Sequence, residues 1–371
     1  MQESMRDVVF RADASLNIGT GHVMRCLTLA DALQQRGARC RFVCRAHPGN
    51  LTDLIRQRGF KVHVLPELEY AHYNSSSARE CTHAAWLGSD WPTDAAQTKI
   101  GIGETVADWL VVDHYAIDAN WERQLRPACR HLMVIDDLAD RLHDCDLLLD
   151  QNSGRVAADY FDLVPAGCTV LVGPKYALIR PEFAALRNYS LARRASPQLK
   201  HLLITMGGVD KDNATTRVLD ALKDSSLPAD CRITVVMGPH APWLTKVREK
   251  AKETPWATEV LVNVQDMAKL MADSDLAIGA AGTSAWERCC LGLPTLTMVL
   301  ADNQREGAAA LKEMGAVLLL ESGDQLAVEL HEKISLLLGA QRLLAMQQAC
   351  IAVTDGAGVS RLAAMITNAN D

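Results

Sequence analysis

The residues best suited to chemistry lie in two glycine-rich turns and a few acidic strand ends. The first turn reads Arg11-Ala12-Asp13, then Gly19-Thr20-Gly21-His22. It follows a short apolar run and opens a helical stretch, the place where parallel sheets bind ligands. An imidazole at that point can accept a proton from water near neutral pH. Asp13, on the same turn, can orient the ring or stabilise it once protonated. Amides at a helix start favour anions, and small residues leave room for a ligand to approach. Taken alone, Gly-x-Gly-His fits a tight turn with a helix-capping histidine better than it fits a base. A dinucleotide fingerprint is not met: Met24 stands where the third glycine belongs, and the second strand ends near Arg45 with no acid for a ribose diol.

The second turn, Gly279-Ala-Ala-Gly282-Thr283-Ser284, joins a strand to a helix beginning near Ala285. Small residues and hydroxyls at a helix start can seat a diphosphate. Glu287, one turn in, can accept two hydrogen bonds from a ribose diol. Ser284-Ala-Trp-Glu287 also spells a capping box that serves only the helix, and the spacing supports both readings equally.

Three smaller groups stand at strand ends. Asp113-His114-Tyr115 offers His114 or Tyr115 to a substrate, with a structural strand-end role as the alternative. The adjacent acids Asp136-Asp137 are the kind of pair a metal site can use, but neighbouring strand residues point to opposite faces. Gly207-Gly208-Val209-Asp210 mirrors the first turn in the second half of the chain. Metal-binding spacings such as His-x-x-x-His are missing, so no metal is expected. Gly-x-Ser-x-Gly is also missing, which weakens any acyl-transfer reading. Trp86, Trp91, Trp109, Trp121 and Trp286 form no regular stripe and read as packing.

Positioning these turns requires strands alternating with helices. Val8–Phe10, 41–44, 62–65, 110–112 and 132–135 read as strands, with a helix over 23–35 closed by Gly37. Further helices are expected over 51–58 and 119–129. Strands resume at 201–205, 233–237, 260–262, 276–278, 295–299 and 317–320. Such alternation implies mostly parallel sheets covered by helices. The pattern weakens from Pro66 to Gly103, where 70–77 reads as a long loop over a sheet edge. Pro181, Pro197 and nearby charges place a joint near residue 195, giving domains 1–195 and 196–371.

The bulk numbers agree with that organisation. At 371 residues, 49% hydrophobic and 22% charged, the chain can bury two ordinary cores. A net charge of -7 argues against a nucleic-acid surface. The eleven cysteines include no Cys-x-x-Cys and read as small buried hydrophobes. With no signal-like start and no apolar run of about 18 residues, no membrane association is expected and the location reads as cytoplasmic.

Together these motifs resemble the UDP-sugar hydrolases of the pseudaminic acid pathway, which share the type B glycosyltransferase fold. The resemblance is carried by Arg11, Asp13, Gly19, Gly21, His22 and Arg25, by Asp113-His114-Tyr115 and Asp136-Asp137, and by Gln151-Asn152. It continues through Tyr176-Ala-Leu-Ile-Arg180-Pro-Glu182-Phe183, Met206-Gly207-Gly208-Val-Asp210, Gly282-Thr283-Ser284 with Glu287, and Asn303-Gln304. It implies an α/β architecture of two Rossmann-like domains facing across a cleft, with UDP held mainly by the C-terminal one. The implied reaction hydrolyses UDP-2,4-diacetamido-2,4,6-trideoxy-beta-L-altropyranose with inversion and without cofactor or metal. His22 would be the base, supported by Asp13. Arg11, Gly19, Gly21, Arg25, Tyr115, Asn152, Arg180, Gly208, Gly282, Thr283, Ser284, Glu287, Asn303 and Gln304 would bind substrate. The expected partner is thus a small-molecule UDP-sugar, with a monomer favoured. Some relatives carry asparagine before the glutamate, where this chain has Trp286, so a polar contact from that position is not carried over. The competing readings are a glycosyltransferase of the same fold, a nucleotide-sugar 2-epimerase and a silent sugar-nucleotide binder. Some relatives also carry a fused acetyltransferase; here hydrolysis alone is expected.

Overall fold

The structure is a computed structural model describing residues 5–67, 83–239, 241–321 and 323–368. The expected loop over 70–77 lies outside the described residues. The chain divides into two compact units, Met1–Leu178 with Gly358–Asp371, and Ile179–Ala357.

The first unit is built on seven parallel strands: β1 (Asp7–Ala12), β2 (Arg39–Arg45), β3 (Lys61–Leu65), β4 (Ala107–Asp113), β5 (Cys129–Ile135), β6 (Leu147–Asp150) and β7 (Thr169–Val172). Their order is β3-β2-β1-β4-β5-β6-β7. The central strands are apolar runs because a parallel sheet is covered on both faces. Alternation along β1 divides them between two cores: Val8 and Phe10 join one cluster, Val9 the other. The helix Gly21–Gln35 follows β1 and buries Val23, Cys26, Leu27, Ala30 and Leu33 on the first core. It ends at Gly37, whose φ of 87° is the left-handed exit expected of glycine.

The second unit repeats the plan with β8 (His201–Thr205), β9 (Arg232–Met237), β10 (Thr258–Val262), β11 (Leu276–Ala280), β12 (Thr295–Met298) and β13 (Val317–Leu320). Their order is β10-β9-β8-β11-β12-β13, again parallel throughout. In each unit the strand order reverses beside the first strand, between β1 and β4 and between β8 and β11. Both glycine turns therefore leave strands that flank a switch point, where ligands gather.

Three expectations are corrected. The joint falls at 178/179 rather than near 195. Pro181 starts a helix, Pro181–Arg193, that is anchored to the second unit by Arg187 on the carbonyls of Cys290 (2.6 Å) and Ile351 (3.0 Å) and by Arg194 on those of Met271 (2.8 Å) and Ser274 (2.6 Å). The last helix, Gly358–Asn368, closes the first unit rather than the second, with Val359, Leu362 and Ile366 in the first core. The weak stretch before Gly103 holds a helix, Trp91–Ile102, capped by Asp90, which accepts from the Thr93 amide at 2.8 Å.

Residues 340–368 pass the length and hydropathy test for a membrane span, with a mean hydropathy of 1.4 in the best window. They form two helices, Ala340–Val353 and Gly358–Asn368, broken at 354–357. The apolar side chains of each are spent on protein cores: Leu343 and Met346 in the second unit, Leu362 and Ile366 in the first.

Candidate functional site

At the carboxyl ends of β1 and β4, Ala12 lies beside Asp113 in register. Asp113 is fully buried and faces the helix that starts at Gly21. His22, the second residue of that helix, places Nδ1 2.6 Å from Asp113 Oδ1. Arg25, one turn along the same face, holds the carboxylate with Nε at 2.6 Å from Oδ2 and a terminal nitrogen at 2.7 Å from Oδ1. Burial alone would raise the Asp113 carboxyl, but the charges of Arg25 and His22 and their hydrogen bonds outweigh it and hold it well below the usual range. A carboxylate so held accepts the Nδ1 proton of a neutral imidazole, which leaves Nε2 as the basic nitrogen.

The network continues outward. Arg25 pairs through its other terminal nitrogen with Asp137 at 2.7 Å, and the Tyr115 hydroxyl donates to the same carboxylate oxygen at 2.7 Å. Asn152 donates to Asp137 Oδ1 at 3.3 Å. The Tyr115 ring meets the His22 ring edge-on, with centroids 4.5 Å apart. Burial pulls the Arg25 guanidinium down, but Asp113 and Asp137 raise it well above its ordinary value.

The partner expected for His22 is Asp13; Asp113 holds that place instead. Asp13 is fully buried, paired with Arg11 at 2.7 Å and His114 at 3.3 Å, and accepts the Arg45 amide at 2.7 Å. Burial would raise its carboxyl, yet the Arg11 charge and the His114 and His47 contacts drive it well below normal. Arg11, expected to bind substrate, is also fully buried and grips Asp94 at 2.7 and 3.2 Å. Both residues therefore brace the floor of the turn. Arg25, likewise expected to contact substrate, is spent on Asp113 and Asp137. His114, open between substrate contact and structure, accepts the Ala116 amide at Nδ1 (3.1 Å) and faces Asp13 with Nε2; its role is structural.

In the turn itself, Gly19 adopts φ 82° and bridges to Ser15. Thr20 stands at the cap position with no side-chain hydrogen bond to the helix. The helix-capping reading of His22 is not what is found, since its ring turns to Asp113.

In the second unit, Thr283 precedes the helix Ser284–Cys290 and makes no side-chain cap. The capping box is not made. Ser284 Oγ accepts from Arg288 at 3.0 Å, while Glu287 Oε1 accepts from Arg180 Nε at 3.0 Å. Burial raises the Glu287 carboxyl, and Arg180 opposes this. A Cβ on Gly282 would meet only the Gln304 amide nitrogen, at 3.9 Å, so the turn is open there. Gln304 Oε1 accepts the Leu300 amide at 3.0 Å, tying the 3-10 turn Asp302–Gln304, which carries Asn303, to the end of β12. Gly238, just past the end of β9, is a close-approach glycine: a Cβ on it would sit 2.0 Å from the Gly208 carbonyl oxygen, so the Gly208 backbone packs directly against it. Asp210 is taken by the amides of Ala214 and Thr215 at 2.8 and 3.0 Å, so it starts the next helix.

Sequence reasoning missed Asp113 and Asp137 as the carboxylates that organise His22, Arg25 and Tyr115. Their signal was present as acids at strand ends, but which strands are neighbours is set by the topology. It also missed Asp94, on the unrecognised helix, and the buried Arg288, whose terminal nitrogen donates to the Ala280 carbonyl at 2.7 Å.

Comparison with known proteins adds to this geometry. Residues 201–359 match the glycosyltransferase family 28 C-terminal domain. The chain is 28% identical to the UDP-2,4-diacetamido-2,4,6-trideoxy-beta-L-altropyranose hydrolase of Campylobacter jejuni, over 83% of this chain and 97% of that protein. It is 25% identical to an uncharacterised protein of Methanocaldococcus jannaschii over 79% of this chain, and it spans only 56% of that longer relative. The crystal structure of Acinetobacter baumannii MurG aligns with 98% of this chain and 100% of its own, with a TM-score of 0.67 at 16% identity. The fold is the type B glycosyltransferase fold of two Rossmann-like domains, and the resemblance read from the motifs is matched by the Campylobacter hydrolase.

Proposed function

We infer that this chain is a nucleotide-sugar-processing enzyme, and that it hydrolyses a UDP-linked 2,4-diacetamido-2,4,6-trideoxy sugar to UDP and the free sugar. The observation that carries this is the His22 Nδ1 to Asp113 Oδ1 contact of 2.6 Å at a switch point. In it, Asp113 fixes the tautomer and His22 Nε2 takes the proton of a water attacking the anomeric carbon. The C1–O bond to the diphosphate breaks as the C1–O bond to water forms, with inversion. Asp113, itself fixed by Arg25, then holds the imidazolium in place until the proton is lost to solvent.

The leaving UDP is assigned to the second unit. Amides of the first helical turn, 282–284, lack intrahelical acceptors and favour the growing negative charge. Glu287, oriented by Arg180, accepts from the ribose diol. Tyr115 and Asn152, both on Asp137, face the sugar's substituents. Gly19, with nothing within 4 Å of where its Cβ would stand, keeps the turn before His22 free of side chains, as Gly21 does at the helix start. Support comes from the 28% identity to the Campylobacter hydrolase over 97% of that protein and from the acid–base geometry.

The nearest competitor is transfer of the sugar to an acceptor hydroxyl from the same donor site. The test is to incubate the protein, without added metal, with the UDP-linked diacetamido sugar or with UDP-N-acetylglucosamine, and to follow UDP release with and without candidate acceptors. UDP and free sugar in equal amounts, from the first substrate and without acceptor, is the expected result. Release only when an acceptor is supplied replaces hydrolysis with transfer.

A further inference from the structure

Beside the His22–Asp113 pair lies a group of rings that this mechanism does not use. The 3-10 turn Ala84–Leu87 has His83 at its cap position and is anchored by Leu87, which is buried in the core of the first unit. In a 3-10 helix, residues three apart eclipse one another, so His83 and Trp86 share a face. Their ring centroids are 4.6 Å apart, edge to face. Both rings meet Tyr115: His83 at 5.4 Å and Trp86 at 5.8 Å, the latter nearly parallel at 24°. Tyr115 in turn meets His22 at 4.5 Å. Four rings thus run outward from the base. Tyr115 is 4% exposed and forms the floor, while Trp86 and His83 are half-buried and form the open side.

His83 adds a polar atom. Its Nδ1 is buried with no hydrogen-bond partner among the described residues, and its side chain does not cap the turn. Such an atom carries a desolvation cost that a polar group on a bound molecule offsets. The turn is held from behind: Arg45 reaches the Pro66 carbonyl (2.7 Å), the Ser89 hydroxyl (3.1 Å) and Asp94 (2.6 Å), so the wall is fixed to the same buried frame that braces the first glycine turn.

We propose that His83 and Trp86, with Tyr115, form the wall that binds the sugar half of the substrate and selects N-acylated deoxy sugars. This inference rests on the hydrolase reading for the position of the anomeric carbon at His22. A sugar ring extending from that carbon then runs along the wall. Deoxy positions and acetyl methyls present carbon to the ring faces. An acylamino group supplies a donor or acceptor to the His83 imidazole. A fully hydroxylated sugar would bury hydroxyls against Trp86 without partners, and this is how such a wall rejects it. Trp86, read from the sequence as packing, becomes a specificity residue.

The experiment uses the full chain with His22→Asn, so that substrate is not consumed. Dissociation constants are measured by calorimetry for UDP and for the UDP-linked 2,4-diacetamido-trideoxy sugar. The same two ligands are then measured after adding Trp86→Leu, His83→Ala or His83→Phe. The ratio of the two constants isolates the sugar's contribution from that of UDP. The proposal expects Trp86→Leu and His83→Ala each to reduce that ratio about tenfold with the UDP constant unchanged. His83→Phe, which keeps a ring but no Nδ1, should recover part of it. Thermal unfolding and the UDP constant verify that each variant is folded. A ratio that stays at its starting value in both Trp86→Leu and His83→Ala overturns the wall, as does a parent protein in which the sugar adds nothing to UDP binding. Turnover of the same sugar by the His22 protein is recorded separately. Its absence removes the hydrolase reading while the binding ratio still reports on the wall.

Discussion

The two switch points of this molecule are built from opposite materials. The first unit's is dense with buried charge: Arg11, Asp13, Arg25, Arg45, Asp94 and Asp113 are all buried, and each is paired at 2.6 to 2.7 Å. The second unit's is a run of glycine, alanine and hydroxyl residues followed by Glu287, which Arg180 holds at 3.0 Å. A proton-transfer site needs a fixed ring, a fixed tautomer and a fixed counter-charge, and buried pairs provide these at a folding cost. A seat for a diphosphate and a ribose needs backbone amides and open space. Under the proposed function, the first unit would carry the rigid acid–base end and the second the open nucleotide end.

The sharpest way to break this contrast is Asp113→Asn. Losing the carboxylate removes the tautomer control on His22 and leaves Arg25 underpaired. The expected fall in kcat is about 10³–10⁴-fold, with a loss of folding stability of about 3–5 kcal/mol, read by steady-state kinetics and urea unfolding. Arg11→Met should separate bracing from chemistry. It breaks a buried pair and should cost about 3–5 kcal/mol in unfolding measurements, while kcat per folded molecule stays close to that of the parent. At the open end, Glu287→Gln should weaken UDP binding about tenfold, the worth of one charged hydrogen bond, with kcat and the unfolding midpoint little changed. A large fall in kcat there would erase the division of labour between the units.

The smallest effect concerns pH. Asp150 is pushed up to about 7, first by burial and then by the nearby Asp137 charge. Its folded value lies above its unfolded one, so the folded state binds the extra proton between about pH 4 and 7. Stability from this group is therefore full below that window and declines as pH rises through it. Asp150→Asn should flatten that slope in unfolding midpoints measured from about pH 4 to 8. Asp113 and Asp13, held low, act in the opposite sense: their contribution is present above the ordinary carboxylate range and is lost only in stronger acid.

Much of this organisation is legible in the sequence, because the first strand, the glycine turn and the helix behind it are continuous in the chain. His22, Gly37 and the second-unit strands fall where local patterns place them. What local patterns do not carry is which strand ends become neighbours. Asp113 is 91 residues from His22 and meets it only because β4 pairs with β1; Asp13, close in sequence, is the natural but incorrect partner. Arg11 and Asp94 are 83 residues apart, and the helix bearing Asp94 begins Trp91-Pro92 and shows little amphipathic pattern. The β6 and β7 strands, four residues each, are too short to stand out. The last helix belongs to the first unit for a reason of packing alone: Gly358 lies so close to the backbone of Tyr176 and Ala177 that a Cβ there would sit 2.4 Å from the Ala177 oxygen.

The most direct test of the central claim is the turnover of UDP-linked 2,4-diacetamido-trideoxy sugar by His22→Asn, measured together with the affinity of the same protein for UDP. The account predicts a loss of kcat of at least about 10²-fold with UDP bound as tightly as by the parent. Undiminished turnover without the imidazole would contradict it.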